Sequence, residues 1–161
     1  MREMRRKNQL LSNEECIAVL NRGTSGTLAL LGDDDYPYAV PLSYVYVNNK
    51  LFFHSSGQGH KIDAINKNGK ASFCVIDQDE IIPNEYTTYF RSVILFGKVR
   101  IIEDMVEKRN AIDVLARKYS PNENGRDKEI DKSLGHVCMI ELSIEHMSGK
   151  EAIELVRIKN K

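Results

Sequence analysis

The hydrophobic and polar residues along the chain repeat with two periods, and these predict strands separated by single helices. Apolar positions spaced about two residues apart are typical of a half-buried strand, and a spacing of three to four residues is typical of an amphipathic helix. The shorter period predicts strands over 24–31, 36–47, 51–56, 71–76, 93–101 and 137–144. The longer period predicts helices from a capping box at Ser12 to Gly23, over about 58–66 and over about 104–119.

The connections between the predicted strands indicate how the strands are arranged. Most are turns too short for the crossover that a parallel pair needs, such as Asn48-Asn49, where asparagine tolerates a positive φ. Helices are inserted one at a time rather than after every strand. We therefore predict a mainly β protein, a six-stranded antiparallel β-barrel with peripheral helices, rather than a doubly wound sheet.

Composition and charge restrict the classes of function. The chain has 161 residues with 23 Lys and Arg against 23 Asp and Glu, so neither a nucleic-acid partner nor an anionic membrane surface is expected. No apolar run approaches the roughly 20 residues of a membrane span. The three cysteines lack a CxxC pair and are expected to be core hydrophobes in a reducing cytoplasm. We expect a single domain over 1–161 with a basic, solvated tail at 1–10.

A polar turn after the strand predicted at 51–56 contains the densest group of candidate ligand-binding side chains. It consists of His54, Ser55, Ser56, Gly57, Gln58, Gly59, His60 and Lys61. Hydroxyls, glycines and a lysine at the start of a predicted helix, where backbone amides are free, form a candidate anion site. The alternative interpretation is an ordinary helix cap and turn.

Two further segments suggest contact with a ligand or a partner. Pro41 interrupts the strand predicted at 36–47, and because proline has no amide to donate, this segment is predicted to be an edge strand or a bulge with amides available to a ligand. A bulge that serves packing alone is the alternative. Tyr86, Tyr89 and Phe90 precede Arg91 and form an aromatic and basic patch, suited to stacking on a planar ring or to a subunit interface.

Several other chemistries are not indicated. The sequence contains no GxSxG, Walker A or GxGxxG motif, so a covalent hydrolase or a P-loop protein is not expected. The histidines lack the spacing of metal ligands on one element, and no metal site is predicted. They are His54, His60, His136 and His146.

Blocks of the sequence, taken in order, resemble the nitroimidazole-resistance branch of the pyridoxamine 5′-phosphate oxidase-like flavoproteins. The blocks are DYPY and VPLSYVY within 35–46, LFFHS and GHK within 51–61, TYFRSVILFG at 88–97 and SGKE at 148–151. Their order and spacing match the family over about 5–155. Asp35 departs from the glycine of many relatives, which affects only a turn. No counterpart of the C-terminal substrate-binding motif of true pyridoxamine phosphate oxidases is present.

The resemblance implies a split barrel that forms a homodimer and holds two flavins, usually FMN, in clefts between the subunits. It implies that the flavin phosphate is bound by Ser55, Ser56 and Lys61, with His60 nearby. It implies that the isoalloxazine ring lies along the backbone of Val40, Pro41, Leu42 and Ser43. The site would be closed by the partner subunit's Arg91 and the partner subunit's Ser92.

The function implied by the resemblance is that of an FMN-dependent oxidoreductase, with FAD as the alternative flavin. Electrons would come from NAD(P)H or another reductant and pass to a small planar acceptor such as a nitroaromatic. His54 is the candidate catalytic residue, because imidazole can exchange a proton near neutral pH; a purely structural strand histidine is the alternative. Two other functions stay open, namely a flavin-binding module without turnover and the same barrel holding haem or a deazaflavin.

Overall fold

The computed structural model describes residues 1–161 as one seven-stranded antiparallel sheet with five α-helices packed around it. The strands are β1 Ser25–Leu31, β2 Pro37–Ser43, β3 Val45–Val47, β4 Lys50–Ser55, β5 Lys70–Ile82, β6 Thr87–Ile101 and β7 Cys138–Glu151. The helices are α1 Asn13–Arg22, α2 His60–Lys67, α3 Met105–Tyr119, α4 Arg126–Ser133 and α5 Ile153–Lys159. The order of strands across the sheet is β2-β1-β5-β6-β7-β4-β3.

The sheet curls because its two edge strands are neighbours in the chain. β2 and β3 lie at opposite edges of the sheet, yet only Tyr44 separates the end of one from the start of the other. The edges must therefore lie close together, although no ladder of hydrogen bonds joins them. A sheet that curls without closing is a split barrel, and this confirms the predicted mainly β architecture with peripheral helices.

The number of strands differs from the six predicted, because the segment predicted as one strand over 36–47 is divided at Tyr44. The backbone of Tyr44 bonds to α3 and not to a neighbouring strand. Its amide donates to the hydroxyl of Tyr119 at 3.0 Å, and its carbonyl accepts from Lys118 Nζ at 3.0 Å. Alternation of apolar residues cannot reveal such a break, since Val45 and Tyr46 continue the strand pattern.

One face of the strands fills the barrel interior. In β6 the predicted alternation is confirmed, with Val93, Leu95 and Val99 buried and Ile94 and Phe96 exposed. The barrel core contains 20 buried residues, which come from α1, α2 and the strands, together with Leu11 and Tyr44, so most of the apolar burial lies inside the curled sheet.

The helices α3 and α4, which we call the helical layer, cover a second, smaller core outside the barrel. This core consists of Val45, Ile102, Ala111, Ile112, Leu115, Ile130 and Met139. α4 falls in a stretch predicted as a loop or weak helix, because its sequence is polar and buries only Ile130. None of the five helices is long and apolar enough to cross a membrane.

β5 and β6 extend well beyond their predicted bounds and form a projecting hairpin, which we call the β5–β6 ribbon (77–90). β1 pairs with β5 only as far as Cys74, and β7 pairs with β6 only from Arg91 onward, so the ribbon strands pair with each other alone. The ribbon exposes Ile81 and Tyr86. Polar and apolar residues do not alternate along the ribbon, which explains why it was not predicted. The second half of β7 and the helix α5 were not predicted either.

The prediction of a solvated tail over 1–10 is wrong at its end. Gln9 is buried at 4% exposure, and Leu10 forms a bridge with Lys150 of β7. The reason is the adjacent Leu11, which enters the barrel core and brings the preceding residues against the sheet.

All three cysteines are free thiols; Cys16 is buried as expected, whereas the other two are half-buried.

Candidate functional site

The connection from β4 to α2 is an open turn with free backbone amides. β4 ends at Ser55, and α2 begins at His60 with Gly59 as its N-cap at φ 118° and no side-chain cap. The first amides of the helix therefore point outward without partners. No atom lies within 4 Å of the place where a Cβ on Gly57 or Gly59 would be. This turn, Ser55 to Lys61, is called the anion turn below, because it combines open space with convergent donors.

Lys61 places positive charge in the anion turn. It lies in the first turn of α2, directly after His60, and its side chain is half-buried. Ser55, at the other end of the turn, lies directly opposite Cys138 in the β4–β7 ladder, and burial raises the pKa of the Cys138 thiol.

The imidazole of His60 contacts Tyr38 and Asp33 of its own chain. Its ring stacks on Tyr38 with centroids 4.1 Å apart, and its Nε2 accepts a hydrogen bond from the Asp33 amide at 3.3 Å. The Asp33 carboxylate lies 3.9 Å from the same nitrogen. His60 therefore attaches the anion turn to the β1–β2 connection.

The candidate residues of β2 divide between two faces of that strand. Val40 and Leu42 pack against the barrel core, whereas Pro41 and Ser43 are exposed. Pro41 is opposite Thr27 of β1, and β2 is an edge strand, as the proline predicted. Because the backbone groups of successive strand residues point alternately toward β1 and away from it, a ligand lying along this edge would meet the backbone groups of two of the four residues.

His54 is exposed on the outer face of β4 and makes no hydrogen bond to another residue. With Ser43 it lines a cavity of about 630 Å³ between the barrel and the helical layer, which we call the α3–α4 cavity. Ile112 and Leu115 of α3 and Met139 of β7 supply apolar lining. The exposed faces of β2 and β4 therefore meet at one cavity, next to the anion turn in sequence.

Arg91 and Ser92 lie far from the anion turn of the same chain. Ser55 is level with Cys138, the first residue of β7, and Arg91 is level with Glu151, the last. Thirteen residues of strand separate these positions, roughly 40 Å of contour. One chain does not bring the two groups together along this sheet.

The guanidinium of Arg91 is occupied within its own chain. Its Nε is 3.0 Å from Glu151 Oε2, and its Nη1 is 3.0 Å from Asp77 Oδ2. Glu151 is 1% exposed and also contacts Lys159, while Asp77 is shared with Arg22. Arg91 thus connects β5, β6 and β7, a structural role that its position before an apolar run does not reveal.

Lys118 and Tyr119 were not anticipated as site residues, yet they attach the helical layer to the opening of the barrel. Lys118 Nζ lies 4.1 Å from the centre of the Tyr44 ring, and burial lowers the pKa of Lys118. The Tyr119 hydroxyl contacts the Thr24 carbonyl and also lines the α3–α4 cavity. A lysine and a tyrosine at the polar end of a helix resemble ordinary surface residues, so only tertiary structure identifies them.

These features define a split-barrel protein with an anion turn at one end of β4 and a cavity beside it. A family model described as pyridoxamine 5′-phosphate oxidase matches residues 12–151. The chain therefore belongs to the pyridoxamine 5′-phosphate oxidase family.

Individual relatives extend the comparison. An uncharacterized protein of Rhizobium meliloti (strain 1021) is 36% identical over 152 residues, which cover 89% of this chain and 95% of that protein. The FAD and heme binding protein of Mycobacterium smegmatis is 26% identical with a TM-score of 0.75, over 91% of this chain and 74% of that one. A Bacteroides thetaiotaomicron protein, provisionally named for 5-nitroimidazole antibiotic resistance, is 23% identical with a TM-score of 0.75, over 88% of this chain and 86% of that one.

Proposed function

We propose that this protein is a flavin-dependent oxidoreductase that binds FMN and reduces a small planar acceptor such as a nitroaromatic. The observation on which the proposal rests is the anion turn, where an uncapped helix start, two open glycines and Lys61 converge beside an edge strand. A phosphate ester fits free amides and a lysine. The binding of FAD by the Mycobacterium smegmatis relative supports a flavin, and it leaves FAD as the alternative form.

The proposed binding mode assigns the phosphate to Ser55, Ser56 and Lys61. The isoalloxazine ring would lie along Val40 to Ser43 of β2, an edge strand in which every second residue directs its backbone groups away from β1. His60 contributes by holding the turn, since its Nε2 is already bonded to Asp33.

A homodimer is part of the proposal, because Arg91 and Ser92 lie far along β7 from the anion turn of their own chain. The distance along β7 supports this, and so does the apolar outer face of the sheet around Ile76, Ile94 and Phe96, which a second copy would cover. Arg91 would act there while held by Asp77 and Glu151, which fixes its orientation. NAD(P)H or another reductant is the proposed electron donor.

Bound flavin supplies the redox step, accepting two electrons from the donor and delivering them to the acceptor. Reduction of a nitro group by two electrons also consumes two protons and releases water. His54 faces the α3–α4 cavity without another hydrogen-bond partner, so its imidazole is available to orient the acceptor and donate one of these protons. Ile112, Leu115 and Met139 place apolar side chains in the same cavity.

The test of flavin binding is titration of the purified chain with FMN, followed by its visible spectrum and by mass spectrometry of any cofactor that copurifies. Lys61→Ala should weaken FMN binding by about 1–3 kcal/mol, the scale of a lost charge-assisted hydrogen bond. Lys67→Ala, at the exposed end of the same helix, is the matched control and should bind FMN normally. No flavin spectrum after FMN is supplied would exclude the proposal, and equal affinity in Lys61→Ala would exclude the phosphate assignment.

The test of turnover is anaerobic mixing of the reduced holoprotein with a 5-nitroimidazole. His54→Ala should keep FMN bound but slow reoxidation by about 10²–10⁴-fold, the usual contribution of a positioned proton donor. His136→Ala, an exposed histidine outside the cavity, should reoxidise at the wild-type rate. If the wild type is not reoxidised at all, the protein is a flavin-binding module without turnover.

A second candidate function, haem binding on the same barrel, is favoured by the name of the Mycobacterium smegmatis relative. The imidazole of His54 is available as a haem ligand, because it makes no hydrogen bond. The Nε2 of His60 accepts a hydrogen bond from Asp33 and is not available. Titration with haemin should then give a histidine-ligated Soret band that His54→Ala removes. Absence of that band leaves the flavin proposal as the better account.

A further inference from the structure

We propose that the α3–α4 cavity is the acceptor site and that Arg126 determines its specificity, by binding an oxygen acceptor group on a neutral, ring-sized molecule. The inference rests on the proposed function for the reaction, but the binding itself can be measured separately. The occupant would be a nitroaromatic or a ring carbonyl compound without a phosphate.

The size and lining of the cavity suit a small ring compound. Its volume of about 630 Å³ lies within the range of roughly 300–1,000 Å³ that small-molecule sites span. Ile112, Leu115 and Met139 provide apolar walls, and His54 and Ser43 provide polar groups on the barrel side. An apolar ring would bury its faces against the walls with one end toward His54.

Arg126 supplies unused donors on the opposite, helical side of the cavity. Its side chain is 21% exposed; its Nε is buried and lies 3.5 Å from Asp113 Oδ1, whereas its terminal Nη groups donate to no other residue. Asp113 Oδ2 accepts from Arg117 Nε at 2.7 Å. Because the Nη groups are charged and unpaired, an oxygen of a ligand in the cavity would gain a charge-assisted hydrogen bond from them.

The charges around the cavity restrict what that oxygen belongs to. Glu123 and Glu129 also line it, so two exposed carboxylates accompany the one guanidinium. A phosphate ester would be repelled by the glutamates, whereas the oxygen of a nitro or carbonyl group has no net charge to be repelled. The cavity therefore favours neutral acceptors over phosphorylated ones, although the family is named for a phosphorylated substrate.

The experiment measures binding of three aromatic probes to the full chain, with its cofactor as purified. Chemical shifts of the Ile112 and Met139 methyl groups report the site, and the probes are 4-nitrobenzyl alcohol, benzyl alcohol and 4-nitrophenyl phosphate. The nitro alcohol should bind best of the three. Arg126→Gln should weaken its binding about tenfold, toward that of benzyl alcohol, the scale of one hydrogen bond to a charged donor.

Matched variants control for folding and for general loss of charge. Arg109→Gln removes an arginine of α3 that pairs with Asp131 outside the cavity, and it should bind the nitro alcohol as the wild type does. Ala116→Phe fills the cavity and should abolish the shifts while the circular dichroism spectrum is unchanged.

The outcomes separate this inference from the proposed function. If Arg126→Gln binds the nitro alcohol as tightly as the wild type, or if 4-nitrophenyl phosphate binds best, the inference is wrong even when flavin turnover is observed. If the probes bind as expected but the chain takes up no flavin, the cavity assignment stands and the proposed function fails.

Discussion

The barrel core and the core under the helical layer are built differently. The barrel core has 20 buried residues and includes Tyr44, Phe53 and Phe73, whose rings lie with centroids 5.2 Å apart in two pairs. The core under α3 and α4 has seven buried residues, and only one of them belongs to α4. Exposed ion pairs such as Arg109 with Asp131 also link α4 to α3, but they contribute little to stability.

Because the two cores differ in size, we expect the two walls of the α3–α4 cavity to differ in stability. The anion turn, β2 and His54 are fixed to the barrel, whereas the opposite wall of the α3–α4 cavity depends on the smaller core. Segments with little apolar burial open at lower free energy than the global transition. We therefore expect α4 to open locally while the barrel stays folded, which would admit a ligand to the cavity.

The largest expected effect comes from the barrel core. Phe73→Ala removes a ring that is 1% exposed and contacts both Tyr44 and Phe53, so we expect a loss of about 3–5 kcal/mol in the free energy of unfolding. Urea denaturation measures it. Tyr36→Ala, which removes a ring that is 74% exposed just before β2, is the control and should cost much less; similar losses would mean that the barrel interior does not dominate stability.

A smaller and more local effect is expected from the helical layer. Ile130→Ala removes the only buried side chain of α4 and should cost about 2–3 kcal/mol, the low end for such a truncation. Hydrogen exchange should speed up in α4 while β5 and β6 keep their protection. Ile158→Ala, which is exposed on α5, should leave both unchanged. Uniform faster exchange across the barrel would contradict a separately opening layer.

The ion pairs of the barrel make a prediction about acid. Hydrogen bonds from Arg22, together with Arg91, hold the pKa of Asp77 below its ordinary value of 3.8. A pKa lowered by folding stabilises the protein above that value, and the stabilisation is lost as the pH falls through the folded-state pKa. The urea midpoint of Asp77→Asn should therefore be lower than that of the wild type at neutral pH, and the two midpoints should converge in acid.

A control on the same strand tests whether that convergence belongs to Asp77. Asp79→Asn removes an exposed carboxylate that makes no ion pair, and its midpoint should follow that of the wild type at every pH. A constant difference between Asp77→Asn and the wild type into acid would show that the ion pair is not the cause.

The smallest effect is expected from the ion pair between α3 and α4. Arg109 and Asp131 are 41% and 64% exposed, and exposed pairs contribute little because water screens them. Arg109→Gln should leave the urea midpoint unchanged within error, at low and at high salt. A measurable loss would mean that surface charge, and not Ile130, holds the helical layer in place.

Local signals in the sequence were sufficient where short-range chemistry decides the structure. The capping box at Ser12 and Glu15 and the end at Gly23 were predicted, because the hydrogen bonds that fix them are between near neighbours. The hairpin turn at Asn48 and Asn49 was predicted for the same reason, and both residues have positive φ. The edge position of β2 followed from one proline.

Long-range pairing was not predictable in the same way. The β5–β6 ribbon and α4 lack an apolar period, since their sequences are polar and their order comes from pairing or from one buried residue. The break at Tyr44 depends on Tyr119, 75 positions along the chain. Arg126 joins the site only after the helical layer has packed, so no spacing in the sequence indicates it.

The break at Tyr44 also sets an order of events during synthesis. Contacts between distant residues form late, because the intervening chain must first be made and then closed into a loop. β1 and β2 can pair as soon as they emerge, but the backbone groups of Tyr44 wait for Lys118 and Tyr119 at the end of α3. The edge strand that borders the site is therefore completed only when nearly three quarters of the chain has been translated.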